Sequence, residues 1–220
     1  MAMGGSLFPE WIDRARPLAG ALLAVVPLYL VGLLYYAGWP TTTHIGYSPK
    51  QPVPFSHAQH AGELGIDCRY CHNTVERAAH AAVPPTATCM NCHALTASDS
   101  DVVLPVRQSA ASGDPVRWVR VHDLPDFVYF SHSAHLSKGV GCVSCHGRID
   151  RMEQVYQAEP LSMGWCRDCH RNPGPHLRPQ EFLTTMDWVP GEDPLVVQDR
   201  LVKHYNVPQQ APTDCSTCHR

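Results

Sequence analysis

The sequence CRYCH at residues 68–72 carries the pattern that decides the fold, and this pattern occurs five times in the chain. The other copies are CMNCH at 89–93, CVSCH at 142–146, CRDCH at 166–170 and CSTCH at 215–219. The chain's ten cysteines all belong to these C-x-x-C-H motifs: Cys68, Cys71, Cys89, Cys92, Cys142, Cys145, Cys166, Cys169, Cys215 and Cys218. The histidines that close the motifs are His72, His93, His146, His170 and His219.

Three kinds of site use paired cysteines, and the histidine distinguishes them. Disulfide frameworks and zinc ribbons both accept C-x-x-C pairs, but neither requires histidine at the next position. Covalent attachment of c-type haem does require it, because two thiols bond the porphyrin edge while the adjacent imidazole ligates the iron. With 14 histidines in 220 residues, five such coincidences have a chance probability of roughly one in a million. We therefore predict five covalently bound haem c groups.

The composition indicates a loop-rich chain without a conventional apolar core. Proline (20 residues) and glycine (15 residues) are abundant, which favours short elements over long helices or a large sheet. The hydrophobic content of 44% includes an N-terminal run of 21 residues, and without that run about 40% of the chain is apolar, ten of those residues being cysteines. We predict mainly coil with short α-helices, in a multihaem cytochrome c domain wrapped on five haems.

The charge of the chain is low. Charged residues are 17% of the chain and the net charge is −3, which argues against nucleic acid as a partner. Bound haems would add propionates, and Arg69, Arg167 and Arg171 beside the motifs are candidates to pair with them. A solvated surface charge is an equally good interpretation of each arginine.

The run from Leu18 to Gly38 contains no charged residue, and a helix of that length crosses a hydrocarbon core of ~30 Å. Arg14 and Arg16 before the run predict a cytoplasmic N-terminus, and Trp39 at its far end is typical of an aromatic belt. The alternative, a cleaved signal peptide, normally has a shorter apolar core and small residues at its cleavage site. We predict a cytoplasmic tail (1–16), a single transmembrane anchor (17–39), an extended linker (40–54) and a pentahaem domain (55–220) outside the bacterial cytoplasmic membrane.

An internal repeat narrows the choice of sixth iron ligands. VPFSHAQH at 53–60 matches VYFSHSAH at 128–135, and two C-x-x-C-H motifs follow each copy. The repeats cover about 53–93 and 128–170, and the fifth haem site at 215–219 stands alone. A serine can cap a short helix in each copy, which puts its two histidines on one face at i and i+3. We predict four distal ligands in this way: His57, His60, His132 and His135.

The sequence alone does not identify the fifth distal ligand. The candidates are His80, His122, Met163 and Met152, whereas His44, His176 and His204 are expected not to ligate iron. A methionine ligand would raise the potential of its haem relative to two histidines.

Other segments carry local predictions. The stretch around Met152 reads as a plausible helix, in which a methionine is usually a packing residue. Residues 94–115 are predicted to form a surface loop between the repeats. Asp193 is predicted to cap a helix that ends near Tyr205.

Paired FSHxxH segments followed by C-x-x-C-H motifs resemble the multihaem cytochrome c3 and c7 superfamily. The N-terminal apolar helix, PFSHAQHAGELGIDCRYCH, VPPTATCMNCH, YFSHSAH, LSMGWCRDCHR and the terminal CSTCHR look like the pentahaem cytochrome c subunit of bacterial alternative complex III. This resemblance implies a quinol-oxidising respiratory or photosynthetic membrane complex. It also implies an iron–sulfur subunit and polytopic quinol-binding subunits as partners, with a periplasmic carrier or terminal oxidase as the electron acceptor.

Three functions therefore compete. An electron-transfer subunit, not catalytic by itself, is favoured because the chain has enough histidines to close every iron. A multihaem reductase needs an open iron site, and pentahaem nitrite reductases carry a catalytic motif ending in lysine, whereas all five motifs here end in histidine. A stand-alone membrane-anchored multihaem quinol dehydrogenase is the remaining alternative.

Overall fold

The computed structural model describes residues 9–39, 44–208 and 210–219, apart from the side chain of Glu10. The chain divides into two units, residues 1–43 and 44–220. The predicted architecture of short helices and coil is confirmed: the described residues contain no strand, only two isolated bridges, Val128 with His219 and Val140 with Leu177. The α-helices are α1 (Glu10–Ala37), α2 (Cys68–Cys71), α3 (Thr86–His93), α4 (Leu104–Ser112), α5 (His132–Ser137), α6 (Val143–His146), α7 (Met163–Arg171), α8 (Pro194–His204) and α9 (Cys215–Cys218). A π-helical turn (Ala58–Glu63) and 3-10 turns (Ile149–Arg151, Gly174–His176, Gln180–Phe182) complete the set.

Helix α1 is the one described helix that is long and apolar enough to cross a membrane. It begins at Glu10, seven residues before the predicted anchor, because Asp13 and Arg16 form an i,i+3 ion pair that extends the helix across the charged residues. Near its far end, the rings of Tyr35 and Trp39 lie 4.8 Å apart. The helix is consistent with a single-pass anchor, and half of the predicted tail (residues 1–8 of 1–16) lies outside the described residues.

The predicted linker falls partly outside the described residues, at 40–43, and the rest of it belongs to the second unit. The Gly46 amide donates to the Gln157 carbonyl (2.8 Å), and the Gln157 amide donates to the Tyr47 carbonyl (3.1 Å). This pairing also explains why the helix predicted around Met152 is wrong. Residues 153–160 run in irregular conformation beside residues 46–49, so their backbone bonds to another segment instead of to itself.

The loop predicted at 94–115 is also wrong in part, because it contains helix α4. Pro105 lies in the first turn of this helix, and Gly113 ends it in the left-handed conformation. Val103 and Val106 are buried with Val53 in a small apolar cluster. This cluster gives the segment a packed inner face. The sequence does not indicate that face, because the segment contains many small polar residues.

A second small apolar cluster surrounds helix α8. Asp193 caps this helix by accepting a hydrogen bond from the Leu195 amide (2.9 Å), and the helix ends at His204, as predicted. Val197 and Leu201 on its inner face are buried against Leu177. The two clusters are small, and ten apolar side chains in all are buried among the described residues.

Gly139 is expected to be intolerant of a side chain. Its φ is +82°, and a Cβ there would collide with the Tyr205 ring, whose hydroxyl donates to the Arg178 carbonyl (2.9 Å). We expect Gly139→Ala to lower the Tm of the holoprotein by about 4–8 °C, since the left-handed backbone and the overlap together cost about 2 kcal/mol. Gly46→Ala is the matched control, because Gly46 also has a positive φ (+79°) but open space around it. Equal Tm losses in both variants would contradict the proposed packing.

Candidate haem-binding sites

Each C-x-x-C pair occupies about one helical turn, on α2, α3, α6, α7 or α9 or at the edge of one of these helices. Residues three apart in a helix share a face, so the two thiols of a pair point the same way. Side-chain caps fix the start of three of these helices: Asp67 accepts from the Arg69 amide (2.8 Å), Ser162 from Trp165 (3.3 Å) and Asp214 from Thr217 (3.1 Å). All ten cysteines have free thiols, which is the state that thioether formation requires.

Two motif thiols lie in partly buried surroundings. Burial raises the pKa of Cys68 to about 11 and, with the neighbouring Cys169 and Cys166, raises the pKa of Cys145 to about 12. No three His, Cys, Asp or Glu side chains converge as a metal site among the described residues. Two thiols on one helical face with an imidazole directly after them are the donors that covalent haem requires.

Hydrogen bonds and ring contacts show which motifs are neighbours. The Asn91 side-chain amide of the second motif donates to the Tyr70 hydroxyl of the first motif (3.0 Å). Adjacent residues link the first and third motifs: the Cys142 amide donates to the Leu183 carbonyl (3.0 Å), and the Thr184 hydroxyl donates to Asp67, just before the first motif (2.9 Å).

Helix α5 links the third and fourth motifs, because its His132 ring lies 6.4 Å from that of His146 and its His135 ring lies 6.1 Å from that of His170. His170 Nδ1 bonds to the Pro212 carbonyl (2.6 Å), just before the fifth motif. These contacts connect the motifs in the order second, first, third, fourth, fifth.

Four of the five motif histidines are oriented through Nδ1 by a backbone carbonyl. The bonds are His72 to Ala82 (2.8 Å), His93 to Thr96 (3.0 Å), His170 to Pro212 (2.6 Å) and His219 to Phe127 (3.1 Å). A bond at Nδ1 leaves Nε2 as the nitrogen that can ligate iron. The sequence offered no signal for these acceptors, because any residue can supply a carbonyl.

The phenylalanine and histidine rings of the two FSHxxH segments have the same arrangement, although the first copy continues as a π-helical turn and the second as helix α5. The Phe55 ring meets His57 edge-on at 4.8 Å and lies against His60 at 4.3 Å. In the second copy, Phe130 meets His132 edge-on at 4.8 Å and lies against His135 at 4.5 Å. The phenylalanine thus holds the two imidazoles of each copy apart, so they are positioned for two different irons.

The second histidine of each pair also bonds to the serine of its own copy. His60 Nδ1 bonds to the Ser56 carbonyl and His135 Nδ1 to the Ser131 carbonyl, both at 2.8 Å. The Ser131 hydroxyl caps α5 as predicted, accepting from the Ala134 amide (3.4 Å). The Ser56 hydroxyl accepts from the Gln59 amide (3.0 Å), at the start of the π-helical turn.

Distances between histidine rings test whether these side chains can share an iron. An imidazole nitrogen bonds a transition metal at about 2.0–2.1 Å, so two trans imidazoles have ring centroids about 6.3 Å apart. The separation is 6.1 Å for His60 with His93, and again 6.1 Å for His135 with His170. In both copies the second histidine of FSHxxH therefore faces the second motif of its own repeat.

The first histidine of the second copy faces the first motif of its repeat. The rings of His132 and His146 are 6.4 Å apart and nearly parallel, with an interplanar angle of 12°. In the other copy, burial and the neighbouring His72, His60 and His122 lower the pKa of His57 to about 4. Ring separations thus pair three of the four predicted distal histidines with a motif histidine, and the repeat predicts His72 as the partner of His57.

The candidates for the fifth distal position lie in different places. Met152 is 3% exposed and packs near Gly147, beside the third motif, whereas Met163 is 59% exposed in the first turn of α7. His122 lies 4.5 Å from His146, too close for an iron between the two rings. His80 follows Ala79, whose carbonyl accepts from both the amide and Nδ1 of His132.

Residues 129–132 lie between the segment next to His80 and the fifth motif. The Ala79 carbonyl bonds to His132, and three residues earlier the Tyr129 amide donates to the Cys218 carbonyl (2.8 Å). Residues 129–132 therefore contact both the chain beside His80 and the motif that still lacks a partner.

Two of the three arginines singled out beside the motifs form ion pairs with carboxylates of the chain. Arg69 pairs with Asp67 and Glu76, and Arg171 pairs with Asp168. Arg69 is the largest cause of the lowered pKa of Asp67, which falls to about 2, and the Thr184 hydroxyl adds a hydrogen bond to the same carboxylate. Asp67 was not singled out by sequence, although an aspartate directly before a helical turn is a capping signal.

Comparisons with known proteins agree with the repeat. The model of the class III cytochrome C family matches residues 39–109, and the model of cytochrome c7 and related cytochrome c matches residues 128–220. Each match contains one FSHxxH segment with its motifs. The multiheme cytochrome c subunit of menaquinone reductase from Nitratidesulfovibrio vulgaris (strain Hildenborough) is 30% identical over 168 residues, covering 66% of this chain and 80% of that protein.

Proposed function

Because the chain belongs to the multihaem c-type cytochromes, we propose that it is the pentahaem electron-transfer subunit of a quinol-linked membrane complex. Helix α1 anchors it, and residues 44–220 carry five haem c groups on the outer side of the bacterial cytoplasmic membrane. The contacts that connect the five motifs in series are the observation that carries the proposal, because a relay needs each site beside the next. When bound, the haems supply reversible one-electron chemistry at iron.

The side chains have distinct roles in this proposal. The ten cysteines would hold the haems through thioether bonds, and the five motif histidines would ligate the irons. His57, His60, His132 and His135 close the first, second, third and fourth sites in that order, as the ring distances and the repeat support. We assign His80 to the fifth site, because the segment beside it shares residues 129–132 with the fifth motif. Two imidazoles at each iron exclude substrate, so these residues serve transfer and not catalysis.

The partners follow from the resemblance to alternative complex III. The proposal includes an iron–sulfur subunit, polytopic subunits that bind the quinol, and a periplasmic carrier or terminal oxidase as acceptor. A second candidate is transfer in the opposite direction, towards a quinone. The relative named as a subunit of menaquinone reductase favours this candidate.

Extraction in a mild detergent tests these roles. We expect the cytochrome to copurify with an iron–sulfur subunit and polytopic subunits, and menadiol to reduce its haems in the complex but not in the isolated chain. Dithionite is the control, because it should reduce both preparations fully. Rapid reduction of the isolated chain by menadiol would instead identify a stand-alone quinol dehydrogenase. Oxidation of the pre-reduced complex by menadione, without reduction by menadiol, would establish the quinone-reducing direction.

A further inference from the structure

Arg178 lies directly against the chain that leads into the third motif. A Cβ at Gly141 would be 2.5 Å from Cδ and 2.7 Å from Nε of Arg178, so the arginine side chain crosses the backbone one residue before Cys142. The Arg178 amide donates to the Gly139 carbonyl (2.8 Å), which joins the two segments through the backbone as well. The guanidinium therefore begins beside the first cysteine of the motif.

The side chain of Arg178 is held in this position by further contacts. One of its guanidinium N–H groups donates to the Thr185 carbonyl, and its central carbon lies 5.5 Å from the centre of the Trp188 ring. A carbonyl oxygen and an aromatic face both attract a cation. The backbone carbonyl of Arg178 accepts a hydrogen bond from the Tyr205 hydroxyl (2.9 Å), so the residue is fixed at its backbone and at its charged end.

These contacts hold the charge of Arg178 without neutralising it. Arg178 forms no ion pair among the described residues. Arg148, two residues after the same motif, instead donates two hydrogen bonds to the Asp150 carboxylate (2.8 and 2.6 Å). Burial lowers the pKa of Arg178, against the opposing effects of Cys142 and Asp187, but a guanidinium stays protonated in proteins. The third motif thus borders a partly buried positive charge that has no carboxylate in contact.

From this arrangement we infer that Arg178 is a fixed positive charge that raises the reduction potential of the third haem. The inference rests on the proposed function, since it takes Cys142, Cys145 and His146 as a haem site. Iron gains one positive charge when it is oxidised, so a positive charge nearby disfavours the oxidised state. Salt screens a partly buried charge much less than an exposed one, which makes the position of Arg178 effective.

The third motif is the middle member of the series of five, so Arg178 acts at the centre of the relay. A raised potential there favours occupation of the central site by an electron, compared with the same site without the arginine. Arginine suits this role because its guanidinium does not lose its proton, which keeps the charge constant as the pH changes.

Substitutions in the holoprotein separate the charge of Arg178 from its packing. We expect Arg178→Gln and Arg178→Met, which remove the charge but keep much of the stem, to move one of five reductive transitions to lower potential. The ferrous-to-ferric ratio of that haem at a fixed potential should fall about tenfold, which equals about 59 mV for one electron. Arg178→Lys should leave the transition near its wild-type potential even where the Tm falls, because the charge remains while the contacts with Thr185 and Trp188 change.

Two further variants provide a control and an assignment. Arg151→Gln is the matched control: Arg151 follows the same motif but is exposed to solvent, and its loss should move no transition. His132→Ala is expected to leave the third haem high-spin, which separates its spectrum from those of the four low-spin haems. In the His132→Ala background, Arg178→Gln should move the transition of the high-spin haem.

Four results would overturn the inference. Unchanged transitions in both neutral variants would show that the charge has no effect on any haem. Equal shifts in Arg178→Gln and Arg178→Lys would make Arg178 a packing residue only. An equal shift in Arg151→Gln would show a general effect of surface charge. A shift confined to the low-spin haems in the His132→Ala background would assign the charge to another site. Fewer than five haems in the wild-type protein would instead count against the proposed function.

Discussion

Complete denaturation of the purified protein is expected to leave five haem groups attached to the polypeptide, because each is held by two thioether bonds that denaturants do not break. Mass spectrometry should find five haem masses on one chain, and the pyridine haemochrome assay should give a ratio near five. Replacing both cysteines of one motif, as in Cys142→Ala/Cys145→Ala, should reduce the count to four. Ser144→Ala is the matched control, since it changes a residue between the same two cysteines and should leave five.

The same chain made without haem attachment is expected not to fold. Only ten apolar side chains are buried among the described residues, most of them in two small clusters around Val53 and Leu201. Cores of that size do not stabilise a unit of this length, so haem has to supply the missing apolar contacts. Loss of cooperative unfolding and of most helical circular dichroism would be the expected result. A folded protein with two or fewer haems and bound zinc would contradict the assignment of the motifs.

Replacing either His60 or His135 by alanine is expected to remove the sixth ligand from one iron. The other four irons should keep both of their ligands. Each imidazole stands 6.1 Å from one motif histidine, so each variant loses the sixth ligand of a single haem. One haem of five should become high-spin when oxidised and should bind carbon monoxide when reduced. Haem attachment should persist, because it depends on the thiols and the motif histidine.

The two variants should give matching spectra, because the ring separations and serine contacts are the same in both repeats. His204→Ala is the control: this exposed histidine on α8 is expected to ligate no iron, and its loss should leave all haems low-spin. His57 and His132 variants should behave like those of His60 and His135 at the first and third sites. Fully low-spin spectra from all four variants would show that these histidines are surface residues and that other side chains close the irons.

Sequence predicted those parts of the sites whose spacing is dictated by covalent chemistry. The C-x-x-C-H motifs and the i, i+3 histidines follow from the shape of haem and from helical periodicity, so they could be identified without a structure. The choice between His80, His122 and the two methionines could not be made in this way. It depends on which segments lie side by side, and His122 is placed against His146 across 24 residues of chain.

The errors in local structure have the same origin. Residues around Met152 have the composition of a helix but bond instead to the chain near Tyr47. Helix α4 is not predicted because its alanines and serines are typical of a loop, whereas the buried Val106, with Val103 directly before the helix, gives it a packed side. In both places long-range contacts overrode local preference.

The carbonyl bonds of the motif histidines have a consequence for biosynthesis. The acceptors for His72 and His93 lie within ten residues, so these two sites can be completed soon after their own segments are made. The acceptor for His170 is the carbonyl of Pro212, 42 residues later, just before the last motif. His219 in turn depends on Phe127, 92 residues earlier. In a chain made from its N-terminus, the Nδ1 hydrogen bonds of the first two sites can therefore form locally, whereas those of the fourth and fifth sites join segments 42 and 92 residues apart.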